Sequence, residues 1–320
     1  MRGPVKTAAG GRLHAAALPG LAVVAVCLVA WLLDALVDLD GSALPKPNFR
    51  SLVLPGYPDL DSLDDAAAII DAGMWWLCLS LVLWVAGLGV VGLCWMLLHR
   101  ATQHAPPLRR QAGCAFVAVI LLAAGTLLYV AAVLGKPLMS FALVVDNLGL
   151  VSKGFVRLAG FNTALAFVVG AVLLLSLSLL LLPRAHADHP MSQMRAITTV
   201  MYASAVFLLL WISAATSMYR LSAMLLVPAA RDPLLKLAPT IGLMGGLFLS
   251  LLLAAAYGAA CAWLQRRHEA LGAPGTDGLR TPAEGPQEFL AAHWPKAVAI
   301  LMPLFPGAIE SVVQAVAHAP

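Results

Sequence analysis

Ser213, Thr216 and Arg220 follow one another at offsets of three and four, with Ser217 and Tyr219 alongside, so a helix through them carries one hydrogen-bonding face that ends in a cation. An arginine at the end of an apolar helix can bind an anion or a headgroup, or it can simply reach out to the membrane surface along its own aliphatic stem. The run stays apolar through Leu225, Leu226 and Val227 to Pro228, which would carry Arg220 into contact with other elements. Its charge partners would be Asp34, in Leu32-Leu33-Asp34-Ala35-Leu36, or Asp146, which with Asn147 interrupts an apolar stretch. Each acid stands close to an apolar boundary. Ion-coupled carriers place a carboxylate near mid-membrane. None falls there, so ion pumping is not expected.

Other patterns that carry chemistry are incomplete. His268-Glu269-Ala270-Leu271-Gly272 begins like the HExxH zinc motif, but Gly272 stands where the second histidine must be. In His186-Ala187-Asp188-His189 two imidazoles share a short connection, which reads as a polar loop. Asp59-Leu60-Asp61-Ser62-Leu63 lacks the fifth-position ligand and sixth-position glycine of a calcium loop. The five cysteines, Cys27, Cys78, Cys94, Cys114 and Cys261, sit in apolar runs without a CxxC pair, which suits packing residues. No nucleophile elbow or phosphate-binding glycine loop occurs. The sequence therefore assigns no catalytic residue, no metal ligand and no cofactor.

The elements that carry these residues must be membrane helices. Of the 320 residues, 61% are hydrophobic and 11% charged, whereas soluble domains carry about 25% charged residues. Six runs reach the roughly 20 apolar residues needed to cross a bilayer, at 18–37, 74–98, 113–134, 161–182, 197–218 and 237–264. The expected fold is all-α, a polytopic bundle of six spans over residues 1–265 with interfacial helices added. The first run is too long for a signal peptide core of roughly 7–15 residues, so it counts as a span. With the N-terminus inside, the inner segments hold twelve of the twenty basic residues and the outer segments ten of the sixteen acidic ones. The basic bias places both termini in the cytoplasm of a cell whose Ala/Leu/Val-heavy composition suggests a bacterial inner membrane. Scattered cations with a net charge of +4 leave no footprint for nucleic acid.

Between the spans, the outer loop 38–73 is acidic, and Ser62-Leu63-Asp64-Asp65 resembles a capping box that starts a helix into the second span. Residues 136–160 read either as a helix lying at the outer interface or as the third and fourth spans continuing above the membrane. Residues 266–285 form a flexible linker rich in glycine. The tail 286–320 is apolar again and amphipathic, either interfacial or a seventh span, and Pro303, Pro306 and Glu310 favour an interfacial helical hairpin.

The sixth span repeats small residues every four positions, at Gly242, Gly246, Ser250, Ala254, Gly258 and Ala262. Such a ridge lets another helix approach closely, and Gly87, Gly89 and Gly92 in the second span offer a complementary surface. Together these features point to a non-enzymatic membrane component, embedded in lipid, that assembles with or senses a membrane-protein partner or a second copy. The rival is a small-solute permease or channel without ion coupling, lined by Ser176, Ser178, Ser213 and Thr216. A lipid-acting enzyme working through Arg220 and nearby acids is the third reading.

Overall fold

The computed structural model describes residues 63–103, 106–133, 153–181, 190–224, 228–271 and 286–317. Among them the chain is helical throughout: α1 (Leu63–Thr102), α2 (Pro106–Val133), α3 (Lys153–Leu180), α4 (Pro190–Met224), α5 (Pro228–Leu271), α6 (Pro286–Leu301), a 3-10 turn (Met302–Leu304) and α7 (Phe305–Ala317). Helix α1 begins where the Ser62-Leu63-Asp64-Asp65 pattern predicts a start. Prolines stand at or next to the first residue of α2, α4, α5, α6 and α7, where the missing N–H breaks no helical bond.

Four stretches are long and apolar enough to cross a membrane: Ala67–Thr102, Leu158–Leu180, Ser192–Met224 and Ala238–Leu264. They coincide with the second, fourth, fifth and sixth predicted spans, and α2 takes in residues 113–133 of the third. The first predicted span, with Asp34, lies outside the described residues, as do Asp146 and most of the loop 38–73. Lys153 onward is the opening of α3 and continuous with the fourth span.

Contacts between named residues give the helix directions. Gly113 and Phe116 of α2 both meet Trp95 of α1 just after the turn at Thr102. Asn162 of α3 meets Ser80 of α1, and Ser176 meets Cys94, so α1 and α3 run parallel. The start of α1 meets the end of α4, Gly73 against Leu221. Thr216 of α4 packs on Gly242 of α5 and Thr198 on Tyr257, so those two run antiparallel. One end of the bundle therefore gathers the exposed Arg100, Arg109, Arg110 and Arg195, together with the turn of α5 that holds Arg266 and Arg267.

The core lies where α1, α3, α4 and α5 meet, around Leu83, Cys94, Val169, Leu177, Phe207 and Ala260. A smaller cluster of Trp76, Ala159, Met218 and Leu221 closes the opposite end. Away from these seams the surface is also apolar, with Met74, Leu81, Val85, Leu88, Phe167 and Leu251 all exposed. Helices that are apolar on both faces belong to a hydrocarbon solvent, in which close side-chain packing and interhelical hydrogen bonds hold neighbours together.

Candidate functional site

Helix α4 brings Ser213 and Thr216 onto one face, as their spacing predicts, but their hydroxyl protons are already committed. Ser213 Oγ donates to the Leu209 carbonyl at 2.9 Å, and Thr216 Oγ1 lies 3.1 Å from the carbonyls of both Ile212 and Ser213. Thr216 is buried, with its methyl group turned toward Gly242. Arg220, one turn further on, is exposed. The structure thus places the three on one helix edge with two of them turned back onto their own backbone; Asp34 and Asp146 lie outside the described residues.

The same habit runs through the bundle. Thr102, Thr163, Ser176, Ser204 and Ser222 each donate to the carbonyl four residues earlier, at 2.7 to 3.1 Å. In a membrane helix this hides the hydroxyl inside the local turn, where it needs no neighbour and no water. Ser176 is fully buried in the core, and it sits near the Gln193 end of the bundle while Ser213 and Thr216 sit near the other. These hydroxyls therefore stand at separate levels. Replacing Ser213 by alanine is expected to change stability by less than about 0.5 kcal/mol, which thermal melting in detergent would check.

Several contacts between elements involve residues that sequence spacing does not single out. Asn162, buried on α3, donates from Nδ2 to Ser80 Oγ at 2.8 Å and accepts at Oδ1 from the Trp84 indole N–H at 2.6 Å. Ser80 and Trp84 are one turn apart on α1, so a single amide clamps two turns of the neighbouring helix. The Trp84 ring also meets Phe161 edge-on, with centroids 5.0 Å apart. An asparagine inside an apolar run was the available signal, since such side chains must find a partner within the bundle. At the other end, the buried Gln193 amide donates to the Leu180 carbonyl and closes the last turn of α3. Arg231, near the start of α5, donates to the Met224 carbonyl at 3.4 Å, setting a cation against the C-terminal end of α4.

The small-residue ridge of α5 divides in two. Gly242, Gly246 and Ser250 are buried, Ala254 is half-buried, and Gly258 and Ala262 are exposed. A Cβ on Gly246 would stand 2.2 Å from the Pro303 carbonyl oxygen and 2.9 Å from Leu304 Cα; one on Gly307 would stand 2.3 Å from the Leu243 amide nitrogen. Backbone therefore lies against backbone, and the surface that meets the ridge is the chain's own C-terminal segment. Gly87 meets Leu165 of α3 instead, and Gly89 and Gly92 have nothing within 4 Å, so the predicted pairing of these glycines with the ridge is not the one formed. The Ser250 hydroxyl, buried between the two halves, has no hydrogen-bond partner among the described residues.

The predicted hairpin at 297–316 does not form either. Leu301 and Phe305, on either side of the 3-10 turn, keep right-handed helical angles, and the segment runs on from α6 into α7. Pro303 and Pro306 fall in the first turns of new helical pieces, where proline costs no hydrogen bond and need not reverse the chain. Comparison with family models, curated proteins and solved structures gave no match.

Proposed function

We propose that this chain is a multi-pass membrane protein with a non-enzymatic role, a helical component that assembles with or senses a partner within the bilayer. The proposed arrangement has the six spans of the sequence reading, with the N-terminus and the arginine-bearing end of the bundle in the cytoplasm of a bacterial inner membrane. Arg100, Arg109, Arg110 and Arg195, exposed together at that end, support this orientation.

The observation that carries the reading is how the buried polar groups are used. Asn162 ties α3 to Ser80 of α1, Gln193 closes α3 from α4, Thr198 of α4 meets Tyr257 of α5, and Thr102, Ser176 and Ser204 bond within their own helices. This is the polar economy of a scaffold, in which these groups support helix structure or helix pairing. The open half of the ridge supports an assembly role. Gly258 and Ala262 share an exposed face of α5 with Leu247 and Leu251, and small residues there let a foreign helix approach closely.

A photo-crosslinking residue in place of Leu251, in the full chain and in native membranes, is expected to give a discrete intermolecular protein adduct. Adducts to lipid alone would overturn the assembly reading.

A further inference from the structure

We infer that the segment from Trp294 through α7 crosses the membrane as an additional spanning element, so that the linker at 272–285, which begins only after α5 ends at Leu271, and the residues beyond Ala317 emerge on opposite sides. The inference rests on the membrane reading above and replaces the expectation that both termini are cytoplasmic.

The Lys296 ammonium lies within electrostatic reach of Cys261, near the arginine-bearing end of α5. Pro303 and Leu304 lie on Gly246, and Gly307 on Gly242 and Leu243, near the opposite end. The segment therefore climbs antiparallel to α5, and it reaches the level of Gly242, four residues inside the start of the apolar stretch Ala238–Leu264. A helix resting on the membrane surface could not touch α5 at such separated depths.

The faces agree. Ala299, Pro303 and Gly307, spaced by four, are buried toward the bundle, whereas Leu301, Phe305, Ile309 and Val312 point outward and are exposed. A helix at the interface turns its polar side away from the bundle to meet water and headgroups. Here the outward stripe is large and apolar, which suits a hydrocarbon solvent.

Trp294–Ile309 is apolar but only 16 residues long, about 24 Å at roughly 1.5 Å per residue, a few ångströms short of a hydrocarbon core of about 30 Å. The exposed Trp294 and the half-buried Lys296 stand at one end, and Glu310 is the next ionisable position at the other. An interfacial tryptophan and a lysine whose stem can reach the headgroups make up such a shortfall.

The test uses two single-cysteine chains, Gly278→Cys in the linker and Ala319→Cys past α7, with the five native cysteines replaced by alanine. A membrane-impermeant maleimide is applied to right-side-out and inverted vesicles. The expected result is that the two positions label in opposite vesicle orientations, Gly278→Cys from the cytoplasmic side. Labelling of both from one side would overturn the crossing. Opposite labelling with the sides exchanged would keep the crossing and overturn the cytoplasmic assignment of the linker instead. If the cysteine-free chain does not accumulate, epitope tags at the same two positions, read by protection from added protease, give the same comparison.

Discussion

Gly246→Leu is expected to destabilise the protein by about 3 kcal/mol, the upper end of what overpacking a close-packed site does, and to free the C-terminal segment from α5. Even the first atom of a new side chain would meet backbone, with the Pro303 carbonyl oxygen at 2.2 Å and its carbon at 2.8 Å from the ideal Cβ position. Backbone cannot rotate aside as a long side chain can, so relief requires the segment to move off as a unit. Gly307→Leu should act alike from the other partner, because its Cβ would meet the Leu243 nitrogen and the Gly242 carbonyl carbon. Gly258→Leu, on the same ridge but with nothing within 4 Å, is the control and is expected to melt close to the unmodified chain. The readouts are melting temperature in detergent and protease sensitivity near Trp294. Equal melting of the Gly246 and Gly258 variants would show that the segment is not seated on α5 in the membrane protein.

Asn162→Leu is expected to cost about 1–2 kcal/mol, because it leaves both the Trp84 N–H and the Ser80 hydroxyl without their shared partner in a buried setting. The figure exceeds that for Ser213→Ala for a physical reason. Ser213 serves only its own turn of α4, whereas Asn162 joins two helices that are far apart in sequence. A double-mutant cycle between Asn162→Ala and Ser80→Ala should show a coupling of roughly 0.5–1.5 kcal/mol. Additive effects would mean that the amide and the hydroxyl do not act together.

The helices were legible in the sequence because length and hydropathy alone decide them. The apolar runs 74–98, 197–218 and 237–264 lie inside observed helices, and α3 takes in 161–180 of the fourth run. Spacing aligns Ser213 and Thr216 along α4 but carries no information about rotamer, and the rotamers send both hydroxyls to their own backbone. The ridge on α5 was equally plain, but its partner was not. Glycines at 87, 89 and 92 look as accommodating as those at 242 and 246, and only the path of the chain decides which surfaces meet. By residue type alone, the prolines of the tail suggest breaks in the helix. Pro303 and Pro306 stand where helical pieces begin, and there proline is compatible with a chain that runs on. Asn162 belongs to no spacing pattern, yet an amide in an apolar run is in the setting where it must find partners on the next helix.

The claim that the buried polar groups serve helix pairing, and do not line a route for solutes, is tested most directly by flux. The purified full chain in proteoliposomes is expected to pass small neutral solutes such as urea or glycerol no faster than empty liposomes do, in osmotic-shrinkage measurements by stopped-flow light scattering. A faster flux that falls back to the empty-liposome rate in Ser213→Leu or Thr216→Leu chains retaining their fold would contradict the account and establish a permease.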